Sequence, residues 1–248
     1  MLKTERLRIF SGPNGSGKST LYNEAKQYFS KISFVNADEL ELVLAKSGLI
    51  DLTQFDLNLT TSELQKFLKK KDAKSLIEKA ESEGHSINII LKENCIVDQS
   101  KITHSYEASL IASFIRWALY NKKKGFAFES VMSHKSKLNE IISAKKKGLK
   151  IYLYFVCIDN PAINIERVKD RVKKGGHNVN SEKLKNRYLN TLKNLYPSIR
   201  LSDKVYLFDN SGKSLELIAE ISNEKMTIKS NYLPNWFIKF VLPYYNKL

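Results

Sequence analysis

Residues Gly12 to Ser19 read Gly-Pro-Asn-Gly-Ser-Gly-Lys-Ser, a full match to the pattern G-x-x-x-x-G-K-[ST]. No other stretch of the chain restricts its fold as tightly. The pattern needs a strand before it to project the loop from a sheet. It also needs a helix after it, whose positive end and free N–H groups face an anion. Both flanks comply: Leu7 to Phe10 is a short apolar run, and Leu21, Ala25, Tyr28 and Phe29 recur at helical spacing. Glycines let the backbone turn its N–H groups inward where side chains would block them. Lys18 is expected to reach the outer phosphates of a nucleotide and the Ser19 hydroxyl to hold Mg²⁺. Gly12, Pro13, Asn14, Gly15, Ser16, Gly17 and Thr20 complete the loop. From average residue usage, a chance match in a chain of this length is roughly a one-in-a-hundred event.

The 248 residues, 42% of them hydrophobic, suffice for one large α/β domain or for one domain with an inserted subdomain. Forty-one basic residues against 26 acidic ones give a formal charge of +15, a balance that attracts polyanions. The runs Lys69–Lys71, Lys122–Lys124 and Lys145–Lys147 look like helix ends, where lysine suits the helix dipole and water alike. No Arg-rich tract or aromatic–basic repeat points to nucleic acid in particular, so nucleic acid is not the favoured partner. Cys95 and Cys157 are far apart and lack metal-ligand spacing, which reads as reduced thiols. The first residues lack a signal-peptide core, and the longest apolar runs are too short to cross a bilayer. A cytoplasmic protein with no membrane span is expected.

Strands are read at Leu7–Phe10, Ile32–Ala37, Gly125–Ser130, Ile151–Ile158 and Lys204–Phe208, with helices between them. This alternation predicts an α/β fold, a five-stranded parallel sheet flanked by helices, spanning residues 1–248 as a single domain. Residues from about 49 to 104 do not fit a βαβ repeat and read as a mostly helical insertion between strands 2 and 3. Residues 213–248 read as a hairpin around Asn223-Glu224 followed by a helical tail. That tail is aromatic and basic, but its two prolines favour docking on the protein's own core over a membrane surface.

Asp38 closes the second strand on the side where parallel sheets bind ligands. It suits a catalytic base that takes a proton from an acceptor hydroxyl, or equally a cap for the next helix. Glu129 ends the third strand in the same way and suits support of Mg²⁺ or contact with the substrate. Ser130 beside it suits a substrate hydrogen bond or a turn. Beyond Pro161, Arg167 and Arg171 are four apart and share one helix face, with Gly175-Gly176 as a hinge and His177 after it. Two such arginines suit a lid that neutralises charge on a moving phosphoryl group, or an ordinary solvated basic helix. Asn210, after the fifth strand, is a candidate nucleotide contact.

Together, "GPNGSGKST", "FVNADEL", "FAFESVMS", "ERVKDRVKKGGHNV" and "VYLFDNS" resemble the zeta-toxin-like family of P-loop kinases over most of residues 7–212. The resemblance is nearest to members labelled predicted ABC-type ATPases. It implies ATP and Mg²⁺ as cofactors and a small-molecule acceptor, such as a nucleotide sugar, phosphorylated on a hydroxyl. It makes Asp38 the base and Arg167 with Arg171 the phosphate clamp, and it brings in an antitoxin as a candidate partner. Asn180 stands where the family pattern leads one to expect proline, and the segment between Asp38 and Glu129 is long. A nucleic-acid kinase, or a P-loop ATPase working with a protein partner, remains the alternative from the residues alone.

Overall fold

The computed structural model describes residues 4–29, 32–100, 104–173 and 181–245. The chain begins with β1 (Arg6–Ser11), α1 (Lys18–Ala25), β2 (Ser33–Val35) and α2 (Ala37–Ser47). It continues with β3 (Leu49–Asp51), α3 (Thr61–Leu68), α4 (Lys71–Ser82), β4 (Ile89–Lys92) and β5 (Cys95–Asp98). Next come α5 (Ser105–Asn121), β6 (Phe126–Ser130), α6 (Ser136–Lys146), β7 (Lys150–Cys157) and α7 (Pro161–Lys173). The last elements are α8 (Ser181–Leu201), β8 (Lys204–Asp209), β9 (Glu216–Ser222), β10 (Lys225–Ile228) and α9 (Asn235–Phe240).

The fold is α/β, with a mostly parallel sheet flanked by helices. Among the described residues its main sheet has seven strands rather than five, hydrogen-bonded in the order β10-β9-β8-β7-β1-β6-β2. The two additional strands are the antiparallel pair β9 and β10, which extends the sheet beyond β8. Chain contacts divide the protein into two compact units, Met1–Ser30 with Glu129–Leu248, and Lys31–Phe128.

In the first unit, β1, β7 and β8 run parallel, Phe10 lying opposite Tyr154 and Tyr154 opposite Tyr206. One face carries Ile151, Leu153 and Phe155, all fully buried with Ile141, Leu195 and Ile199 of α6 and α8. The other face is aromatic. Phe10, Tyr154 and Tyr206 stack in sequence at 4.8 and 5.0 Å between ring centroids, and the Arg8 guanidinium lies over Phe29. Burial pushes the Tyr154 phenol up to about 12, with Tyr206 adding to the shift and Arg8 opposing it. Burial likewise raises the Cys157 thiol and the Tyr188 phenol.

The C-terminal helix packs on the same unit. Trp236 and Phe237 are buried, and Trp236 Nε1 donates to Asp209 Oδ2 at 2.7 Å. Asp159 accepts from the backbone of Asn235 and Trp236 and from the Asn235 side chain. Two carboxylates at the ends of β7 and β8 thus anchor the tail.

In the second unit, the broad apolar face of α5 forms the core, with Leu110, Ile111, Phe114 and Ile115 fully buried and Phe67 against Phe114. Glu107 closes a capping box at His104. Residues 49–98 are not purely helical: β3, β5 and β4 make a small antiparallel sheet. The second strand is shorter than the expected Ile32–Ala37, because Asn36 leaves it to cap α2, its Oδ1 accepting from Asp38 N–H at 3.0 Å.

Trp236→Phe keeps the ring in the core but leaves Asp209, among the described residues, with only the Ser211 N–H and hydroxyl as donors. It should cost about 1–3 kcal/mol in urea unfolding. A tyrosine in the unfolded chain ionises near about pH 10. Because its folded value is raised, Tyr154 contributes stability that is intact below pH 10 and lost as pH climbs towards 12. Tyr154→Phe should therefore narrow the gap between urea midpoints measured at about pH 9 and about pH 11. Cys157 and Tyr188 keep that gap from closing.

Candidate phosphate site

The loop between β1 and α1 takes the shape its residues demand. Gly12 adopts φ +146°, and a Cβ there would lie 1.9 Å from the Val156 carbonyl oxygen on β7. Only a residue without a side chain lets the loop leave the sheet so close to its neighbouring strand. Ser16 N–H bonds the Pro13 carbonyl at 3.3 Å, and α1 then starts at Lys18, placing its N-terminal N–H groups behind the loop.

Lys18 and Ser19 meet one carboxylate. Lys18 Nζ donates to the Pro13 carbonyl at 3.0 Å and lies 3.6 Å from Glu129 Oε1. Ser19 Oγ donates to Glu129 Oε2 at 2.8 Å. Lys18 is 6% exposed, so its ammonium is mostly out of water and its charge is balanced close by. Glu129 is the next-to-last residue of β6, and its strand delivers it to the two residues that the motif assigns to phosphate and metal.

Ser130, the next residue, accepts from Met132 N–H at 3.1 Å and so makes a turn. Met132, at φ +58°, is held by α8: Thr191 Oγ1 donates to the Val131 carbonyl and Asn194 Nδ2 to the Met132 carbonyl. Arg167 lies on α7 and donates through Nη2 to the Asn210 carbonyl at 3.2 Å, so this guanidinium is tied to the loop after β8. The Asn210 side chain donates to the Ser16 carbonyl at 2.8 Å, which places it on the phosphate loop. Arg171 also lies on α7, but its side chain falls outside the described residues, as do Gly175, Gly176 and His177. Asp38 belongs to the second unit, in the first turn of α2, and the cap of that helix is Asn36.

Asn164 carries a role that the sequence reading passed over. It lies on α7, 4% exposed, and its Nδ2 donates to the Asn14 carbonyl at 2.8 Å. A signal existed: Asn164 is four residues before Val168 and so shares the apolar stripe, where a buried amide needs a partner.

No family model matches the chain. A 64-residue stretch is 38% identical to an uncharacterised protein of Haemophilus influenzae, covering 26% of this chain and 46% of that protein. The structure resembles the native AvrRxo1-ORF1:-ORF2 complex with a TM-score of 0.60 and 13% identity, over 96% of this chain and 63% of the matched one. The same complex with ATP gives a TM-score of 0.57 at 13% identity, over 91% of this chain and 61% of that one. The chain therefore spans less than two thirds of the length of each of these proteins. At this identity the likeness is one of fold.

Gly12→Ala should lower the unfolding free energy by about 1–3 kcal/mol from backbone strain alone, with the contact against Val156 adding to it. Urea titration against the unsubstituted protein measures the loss.

Proposed function

We propose that this protein is an ATP-dependent kinase that transfers the γ-phosphoryl group to a hydroxyl of a small anionic acceptor. The observation that carries the reading is the convergence of Lys18 and Ser19 on Glu129 at the start of α1. A loop that merely held an anion would need the glycines and the lysine. A carboxylate bonded to the Ser19 hydroxyl adds hard oxygen chemistry suited to a divalent ion. The fold likeness to a complex solved with ATP supports the same donor.

In this reading, Gly12, Pro13, Asn14, Gly15, Ser16, Gly17, Lys18 and Thr20 bind the phosphates of ATP. Ser19 and Glu129 would hold Mg²⁺, which would supply charge neutralisation at the phosphates when bound. Asp38 takes the proton from the acceptor hydroxyl as its oxygen forms a new bond to the γ-phosphorus. The bond from that phosphorus to the β-phosphate oxygen breaks, and ADP leaves with the electron pair. Lys18, Arg167 and Arg171 offset the negative charge spread over the moving group. Because Asn36 caps α2, the capping role once open to Asp38 is filled, which favours the base. Asn210 serves the nucleotide side through the loop, and Ser130 shapes the turn after Glu129.

The charge distribution favours an anionic acceptor. The first unit has 27 basic and 13 acidic residues, whereas the second has 14 and 13. Nearly all of the +15 therefore belongs to the unit that carries the loop. A protein partner, with an antitoxin as the candidate drawn from the family resemblance, is compatible with this chemistry.

Lys18→Ala should abolish phosphoryl transfer and weaken ATP binding. Asp38→Asn should keep the ATP dissociation constant within about twofold while lowering transfer by at least about a hundredfold, as expected for a lost general base. Full transfer by Asp38→Asn would remove Asp38 from the mechanism.

A further inference from the structure

A trans peptide points its carbonyl and the following N–H in opposite directions. Fixing a carbonyl from outside a loop therefore fixes the next N–H on the opposite side. Two peptides of the phosphate loop are fixed in this way, each by a carboxamide from another element. Asn164 Nδ2, on α7, holds the Asn14 carbonyl at 2.8 Å, which orients the Gly15 N–H. Asn210 Nδ2, after β8, holds the Ser16 carbonyl at 2.8 Å, which orients the Gly17 N–H.

The close approach of Asn210 is built into the loop. Gly17 has φ +100°, and a Cβ there would stand 2.5 Å from Asn210 Nδ2. Asn210 is itself placed by its N–H, which donates to the Cys157 carbonyl at 2.8 Å. Its carbonyl then receives Arg167 Nη2 at 3.2 Å. Helix α7 thus reaches the loop twice, directly through Asn164 and through Arg167 by way of Asn210. The Oδ1 atom of Asn164 is buried and has no hydrogen-bond partner among the described residues. What this side chain supplies is its donor, and an aspartate of the same shape would set a negative oxygen against the Asn14 carbonyl.

We propose that Asn164 and Asn210 are positioning residues that set the Gly15 and Gly17 N–H groups for a nucleotide phosphate and tie Arg167 to that setting. The proposal rests on the phosphate-binding reading of the loop given above. Neither carboxamide needs to touch the nucleotide. Both act through the backbone, so their loss shows in affinity even where the fold survives.

The test is calorimetric titration of Mg²⁺·ATP, without acceptor, into the full chain and into Asn164→Asp and Asn210→Asp. Urea midpoints of the nucleotide-free proteins are measured in parallel. Each substitution should weaken ATP binding by about tenfold or more, the worth of a lost and reversed hydrogen bond. The loss should exceed anything explained by the fraction unfolded. If the unsubstituted protein binds ATP and both variants bind it equally well, the positioning role is overturned and the phosphate-binding reading stands. A variant that is less stable yet binds with unchanged affinity also overturns it, since that is a purely structural residue. If the unsubstituted protein binds no ATP, both readings fall. Should an aspartate variant not fold, Asn164→Ala and Asn210→Ala carry the same expectation, and unchanged affinity in them overturns the proposal.

Discussion

Glu129 is the residue on which the site depends. Its two oxygens receive the Lys18 ammonium and the Ser19 hydroxyl, so a single carboxylate engages both side chains that the motif assigns to phosphate and metal. Lys18 is too far from water to stay charged cheaply without a nearby anion. The ion pair with Lys18 and the hydrogen bond from Ser19 therefore tie Glu129 to the first turn of α1. In the proposed reaction, Lys18 would turn to a phosphate, and Ser19 and Glu129 would hold the Mg²⁺ that neutralises its charge.

Around that pair, the ends of β7 and β8 act as a frame. Asp159 and Asp209 anchor the Asn235–Trp236 segment, while Cys157 and Asn210 join the two strand ends and pass a carboxamide to the loop. The tail is consequently part of the scaffold that positions the loop, although it lies far from it in sequence.

What was legible in the sequence was local. Gly12 to Ser19 declares itself because one short segment supplies the turn, the cation and the hydroxyl. Glu129 was visible as a carboxylate at the end of an apolar strand. The seven-stranded sheet was read as five because the hairpin expected around Asn223-Glu224 carries no sign in its sequence that it pairs antiparallel with β8 and extends the sheet. The small sheet in the second unit was missed for a different reason. Its β4–β5 turn uses Glu93 and Asn94, both at positive φ, in place of the glycine that marks such turns. Asn164 and the tail anchors act across long sequence separations, where only burial of a polar group on an apolar stripe hints at a partner.

The central claim is that ATP held at the loop gives its γ-phosphoryl group to an acceptor hydroxyl and is not merely held or hydrolysed there. The most direct measurement incubates the protein with Mg²⁺ and ATP carrying a heavy-oxygen-labelled γ-phosphate in a cellular metabolite extract, followed by mass spectrometry. The account predicts a metabolite heavier by one labelled phosphoryl group, formed together with ADP. ADP accompanied only by labelled inorganic phosphate, with no phosphorylated metabolite, would contradict it.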